Sequence, residues 1–261
     1  MLAIRRFAKR VLPARATEWL KQHAPHPEPR PVGWVDLGHL RRVSPVSRGF
    51  GIGRGKPLDR YYIEAFLAKH SADVRGRVLE IGDPGYTRAF GADRVERSDV
   101  LHATAGNPVA TIVGDLASGT GLEPDAFDCV ILTQTLLLIY DVRAAVRTVF
   151  RILAPGGVAL VTVPGISQIA RNDMRRYGDF WRFTDLSARR LFEESFPADH
   201  IEVEQYGNVL IAVGFLHGMV VEELTRAELD HADEDYPVTI ALRVRKPAAP
   251  ATDPAGAPAW T

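Results

Sequence analysis

The sequence predicts an α/β fold, a mostly parallel β-sheet covered by helices on both faces. Three features of the 261-residue chain carry that prediction. A continuous apolar run such as VALVTV reads as a strand buried on both sides, and FDCVIL also reads as a buried strand. Between such runs lie longer segments with apolar residues at helical spacing, the alternation that builds a parallel sheet. Acids stand at Glu80 and Asp99, toward the ends of the first two strands. Ligands of such sheets bind at the carboxyl ends of the strands, near the point where strand order reverses.

From the N-terminus, Ile4, Phe7, Ala8, Val11 and Leu12 fall at helical spacing, with Arg5, Arg6, Lys9 and Arg10 between them. Two readings of this basic helix stand. Residues 1–22 contact an anionic membrane surface, or they dock on their own domain with the basic face in solvent. HAPHPEPRP, residues 23–31, is a proline-rich linker that cannot continue the helix. Helix, linker and a cap segment occupy residues 1–57, the main domain 58–246, and a tail of disordered composition 247–261.

Within the domain, strands are predicted over 77–82, 94–100, 110–116, 127–132, 157–163, 201–205 and 238–244. Helices are predicted over 58–70, 141–153, 184–196 and roughly 208–224. GFGIGRGK, residues 49–56, mimics a phosphate loop but fails as one. Phe50 occupies the first glycine position and Pro57 the required Ser or Thr. No strand precedes it, so it reads as a flexible segment able to close over a ligand.

Composition excludes several classes. The single cysteine, Cys129, lies in a buried-strand run, which rules out an intrachain disulfide and a multi-cysteine zinc site; no metal is expected. The longest apolar runs are too short or too interrupted to span a bilayer, and four basic residues interrupt any secretory h-region. The predicted location is cytoplasmic, with residues 1–22 able to reach the inner membrane surface. Residues 1–60 carry 13 Lys and Arg against 4 Asp and Glu, so the remainder is acidic, because formal net charge is zero. Neither a D/N-P-P-Y-type motif nor a basic patch interleaved with aromatics points to nucleic acid.

Asp99 follows Glu80 by 19 residues, a spacing that suits hydrogen bonds to ribose hydroxyls. Asp115, in GDL, ends the third strand, near where an adenine amine would lie. The segment FDCVILTQTLLLIYDVRAAVRTVFRILAPGGVALVTVP then runs strand, loop, helix, turn, strand. Here the chain resembles the class I S-adenosylmethionine-dependent methyltransferases, the type 11-like bacterial group associated with glycans and natural products. RILAPGG is similar to that family's turn into strand five. The resemblance implies a Rossmann-like three-layer sandwich, with a seven-stranded, mostly parallel sheet and an antiparallel last strand. It implies S-adenosylmethionine as cofactor.

The chain departs from the family at VLEIGDPGYTRAF. The family's loop is acid-x-Gly-x-Gly-x-Gly, and here the three positions hold Gly82, Pro84 and Tyr86, with Gly85 displaced. Gly82 keeps the close-approach position, Gly85 can turn the chain, and Asp83 can face the cofactor's ammonium. An altered but competent loop is the preferred reading, with Glu80, Gly82, Asp83, Gly85, Asp99 and Asp115 binding cofactor. Arg60 or Tyr61, from the cap, can reach its carboxylate. A catalytically degenerate scaffold protein is the alternative, argued by Pro84 and Tyr86. A nicotinamide oxidoreductase is disfavoured by RILAPGG and by the missing G-x-G-x-x-G.

The segment after strand five, residues 164–185, is too long for an ordinary connection and is therefore expected to act. Its arginines and aromatics suit a polar ring such as a sugar or glycoconjugate. Arg171, Tyr177, Trp181 and Arg182 are the predicted acceptor-binding residues. Asp179 is the predicted base, together with Gln134 after strand four, where the family places a polar residue facing the reaction centre. Thr184 is expected to cap the next helix and Phe183 to pack in the core.

Overall fold

The apolar runs become strands in a computed structural model that describes residues 31–249. They are β1 Gly76–Ile81, β2 Val95–His102, β3 Ile112–Val113, β4 Phe127–Thr133, β5 Leu153–Pro164, β6 Ile201–Tyr206 and β7 Thr239–Arg245. Among the described residues these form one seven-stranded sheet in the order β3-β2-β1-β4-β5-β7-β6. Pairing from β3 to β5 is parallel, while β7 runs antiparallel to both β5 and β6. The expected Rossmann-like class, with an antiparallel last strand, is the observed one. Strand order reverses between β1 and β4, which places a ligand-binding crevice at their carboxyl ends.

Helices cover both faces: α1 Leu58–Lys69, α2 Gly85–Gly91, α3 Val142–Ile152, α4 Arg171–Arg176, α5 Asp185–Glu193, α6 Val209–His217 and α7 Arg226–Asp230. Because strand side chains alternate, Val78, Cys129, Ile131 and Leu160 meet Ile63, Phe66 and Leu67 of α1 on one side. Leu79, Val130 and Val161 meet Val146 and Val149 of α3 and Phe192 of α5 on the other. Phe66 is fully buried, and truncating it to alanine should cost about 3–5 kcal/mol. Cys129 is equally buried, and burial pushes its thiol pKa up. It is inert core.

Local chemistry sets the helix ends. Asp141 accepts the Ala144 N–H at 3.0 Å to start α3. Thr184 and Ser187 form a capping box that starts α5. Helix α6 stops at His217, short of the expected end near residue 224, because Gly218 takes the left-handed conformation at φ +70. A Cβ at Gly218 would lie 2.2 Å from the Ser47 carbonyl oxygen. Helix α2 was expected as loop, and β3 is far shorter than its predicted run.

The chain divides into two compact units, Met1–Val43 and Ser44–Thr261. The described part of the first contains a 3-10 turn at Gly38–Leu40. The sheet and all seven helices belong to the second. The basic amphipathic segment and the tail beyond residue 249 lie outside the described residues. No helix among the described residues is long and apolar enough to cross a membrane.

Candidate active site

Two hollows meet at the segment that follows β4. The larger, about 640 Å³, opens at the carboxyl ends of β1, β2 and β4 and beside β3. Gly82, His102, Asp115, Leu138, Ile139 and Tyr177 are among the residues lining it. Gly82 has φ +87, and a Cβ built on it would find no atom within 4 Å. Its backbone is therefore bare toward open space, where a ligand can approach closely. Asp115 accepts the Ala117 N–H at 2.8 Å, which fixes the loop after β3 and leaves its carboxylate on the cleft wall.

Several predicted cofactor residues stand elsewhere. Asp99 is 1 % exposed and lies inside β2, three residues before the strand's end at His102. Its carboxylate is taken up by Arg77 Nε at 2.7 Å, Arg97 Nε at 3.0 Å and the Thr111 hydroxyl at 2.9 Å. Burial opposes its charge, yet these donors hold the carboxyl below the usual range. Asp99 is a structural ion-pair centre, and His102 occupies the strand-end position assigned to it.

Glu80, also buried, accepts the N–H groups of Tyr86 and Thr87 at 3.0 and 2.7 Å. It therefore holds the first turn of α2 and does not line the cleft. Pro84 sits at the N-cap of that helix, where a missing N–H removes no helical bond. This explains physically how the altered glycine loop folds. Arg60, Asp83 and Gly85 come together, but in a separate hollow of about 370 Å³ beside α2. There Arg60 donates to the Tyr86 hydroxyl at 2.7 Å, and Asp83 accepts the Gly85 N–H at 2.9 Å. Tyr61 turns away, donating to Asp230 at 2.6 Å with Arg226 over its ring.

The smaller hollow, about 150 Å³, lies at the carboxyl ends of β4 and β5 and shares Leu138 with the cleft. Gln134 lines it from a strained backbone at φ +46, anchored by its N–H to the Thr162 carbonyl at 2.8 Å. Asp59, in the first turn of α1, also lines it, with Ser167, Gln168 and Asp173 completing the polar wall. Burial raises the Asp59 carboxyl above the ordinary range, against the pull of the neighbouring Arg60. Phe50, from the false phosphate loop, supplies an apolar wall and packs on Phe215 at 5.5 Å.

The segment over residues 164–185 lies across both hollows. Its Tyr177 lines the cleft, and its hydroxyl approaches His102 Nε2 at 3.4 Å. Asp179 does not line either hollow; its side chain is 1 % exposed, ion-paired to Arg182 and bonded to the Ala170 N–H at 2.8 Å. Burial works against that charge, but Arg182 and the Ala170 N–H bring the carboxyl below the usual range. A carboxylate so engaged is a latch, and the expectation that Asp179 acts as base is corrected. Trp181 donates to the Ile139 carbonyl at 3.0 Å and stacks on Tyr140, fastening the segment to the post-β4 loop. Arg171 is exposed and approaches the Met174 sulfur at 3.5 Å, away from both hollows. Arg182 alone of the four expected acceptor residues reaches the smaller cavity.

Asp59, His102, Gln168 and Asp173 were not anticipated as site residues. Only the position of His102 at the close of a strand-like run carried a sequence signal. Among the described residues no group of three or more His, Cys, Asp or Glu side chains is placed to hold a metal ion.

A family model described as a methyltransferase domain matches residues 58–204. No curated protein matches the sequence. Similar solved structures include a SAM-dependent methyltransferase from Archaeoglobus fulgidus, at 12 % identity and TM-score 0.48, covering 72 % of this chain and 94 % of that one. The N-methyltransferase NodS of Bradyrhizobium japonicum, in complex with S-adenosyl-l-homocysteine, is similar at 16 % identity and TM-score 0.45, with 74 % and 89 % covered. Phosphoethanolamine N-methyltransferase 2 of Haemonchus contortus, in complex with S-adenosyl-L-methionine, gives 13 % identity and TM-score 0.46, with 73 % and 57 % covered.

Proposed function

This chain belongs to the methyltransferase-domain family, more than half of its residues matching that model, and from that premise we propose that it methylates a hydroxyl of a sugar or related polar small molecule. S-adenosylmethionine is the methyl donor. The observation that carries this reading is the meeting of the two hollows at Leu138, one suited to the cofactor and the other to an acceptor.

The residues of the larger cleft fit the cofactor. Its volume lies within the range of small-molecule sites, and Leu101, Leu116, Leu138 and Ile139 offer apolar walls for a purine. Gly82 permits close backbone approach, while His102 and Asp115 offer polar atoms to the nucleoside. Bound there, S-adenosylmethionine supplies an electrophilic methyl on a good leaving group. The protein then contributes mainly alignment and dehydration, with Gln134 orienting the acceptor and the segment over residues 164–185 excluding water. An acceptor from glycan or natural-product chemistry suits the polar wall of the smaller cavity.

The scaffold alternative drew on Pro84 and Tyr86. Pro84 is accommodated at a helix cap and Tyr86 pairs with Arg60, so neither obstructs the cleft. Calorimetric titration with S-adenosylmethionine, S-adenosylhomocysteine and NAD tests the proposal. The first two should bind and NAD should not. A folded protein that binds neither adenosyl ligand would favour the scaffold.

A further inference from the structure

We propose that Asp59 is the proton acceptor for methyl transfer, and that the acceptor end entering the smaller cavity is an uncharged polyol rather than an anionic group. This rests on the methyltransferase reading above and deepens it.

The geometry of Asp59 leaves its carboxylate free for a ligand. Among the described residues its donors are main-chain N–H groups only, that of Arg60 at 2.9 Å on Oδ1 and its own. The Arg60 guanidinium is directed away, donating to Tyr86 and lying 5.5 Å from that ring's centre. Asp59 thus borders the cavity with an oxygen that no side chain engages. Apolar Phe50, Phe215 and Val238 line the cavity with it, and a bound acceptor that displaces water there strengthens each polar contact it makes.

The charges facing Asp59 also select the acceptor. Asp173 shares the cavity wall. Arg182, the one cation lining it among the described residues, spends its guanidinium on Asp179 and on the carbonyls of Ser167 and Gln168. Arg60 and Tyr86 are occupied with each other. An anion entering would meet two carboxylates and, among the described lining residues, no cation outside an ion pair, whereas hydroxyls would meet acceptors on Asp59, Asp173 and Gln134. A cavity of about 150 Å³ holds roughly one ring-sized fragment.

The step balances. The acceptor O–H proton passes to the Asp59 carboxylate while the oxygen lone pair forms the new O–CH3 bond. The S–CH3 bond breaks, and its electron pair remains on sulfur as a neutral thioether. The positive sulfonium and the negative carboxylate are neutralised together. Burial raises the Asp59 carboxyl above the ordinary aspartate range, which makes the ionised form a better base near neutral pH. Its basic form is lost as pH falls through that raised value.

The test uses the full chain with methyl-labelled S-adenosylmethionine and paired probes, neutral methyl hexosides and hexose phosphates. Label should enter the neutral hexosides and not the phosphates. Wild-type turnover should fall on the acid side with a midpoint above the usual carboxylate range. Asp59→Asn should lower turnover by about 100-fold and abolish that acid limb, with calorimetric affinity for S-adenosylmethionine and thermal midpoint unchanged. Should Asp59→Asn melt early, Asp59→Glu keeps a carboxylate and must keep the limb. Wild-type rate and pH profile in Asp59→Asn, a wild type with no acid limb, or phosphates preferred over hexosides each overturn the inference. A cofactor-binding protein that labels no hexoside overturns the acceptor assignment. A wild type that binds no S-adenosylmethionine instead sinks the methyltransferase reading beneath it.

Discussion

Arg182 grips Asp179 with both prongs of its guanidinium, Nη1 to Oδ1 at 2.5 Å and Nη2 to Oδ2 at 3.0 Å. The carboxylate's remaining donor is the Ala170 N–H, so one buried group ties both ends of the post-β5 segment. That segment lines the larger cleft through Tyr177 and the smaller cavity through Gln168 and Asp173.

Asp179→Asn should therefore act on both hollows together. Breaking one side of a largely buried pair costs about 3 kcal/mol. Denaturant unfolding should show that loss, and calorimetry should show weaker S-adenosylmethionine binding in step with lower turnover. Full stability and cofactor affinity with turnover lost would return Asp179 to the chemistry.

Asp99 gives a pH signature. Its carboxyl is held below the usual range in the folded chain, so its stabilisation is complete above the unfolded value. The stabilisation is lost as pH falls through the lower, folded one. Urea midpoints should drop for the wild type below about pH 4, and Asp99→Asn should show less of that drop. Asp99→Asn should destabilise by about 3 kcal/mol yet leave cofactor affinity of the folded protein unchanged. A direct loss of affinity at full stability would restore Asp99 to the ribose.

Gly82→Val should do the reverse. A β-branched residue at φ +87 costs about 1–2 kcal/mol in backbone strain. Its side chain also projects where the ligand's approach is proposed. S-adenosylmethionine affinity should fall more than about 10-fold, beyond what the shift in thermal midpoint accounts for. Affinity unchanged in the folded variant would place the cofactor elsewhere.

His102→Ala should weaken S-adenosylmethionine by about 1 kcal/mol, the loss of one ordinary hydrogen bond. Tyr177→Phe should matter less, because its 3.4 Å approach to His102 is a long contact. Titration calorimetry on both variants ranks them; a larger loss from Tyr177→Phe would reverse the assignment.

The strands were legible because burial on both faces writes itself as uninterrupted apolar runs, as in Val158–Val161. The height of an acid along its strand was not. Asp99 looked terminal because the run ERSDV ends in a valine, but β2 continues to His102. Pairing with β1 then sets Asp99 opposite Leu79, below the crevice. Helix α2 was hidden for a related reason. Its seven residues start at Gly85 behind the N-cap Pro84, and Pro84-Gly85 reads as a turn until the Glu80 carboxylate is seen holding the next two N–H groups.

By itself the sequence determined the layered α/β class, the Thr184 cap and the inert burial of Cys129, each from local periodicity or the chemistry of a few adjacent residues, while the antiparallel last strand came from the family resemblance. Only the tertiary structure decided that Asp99 and Asp179 are ion-pair anchors and that Asp59 and Gln134 line one cavity. The Asp99–Arg77 pair joins two strands and Asp59 and Gln134 stand 75 positions apart, while Asp179 and Arg182, three residues apart, are buried only once their segment packs. A carboxylate's role depends on whether a guanidinium or open space lies beside it, and that is settled when the elements pack.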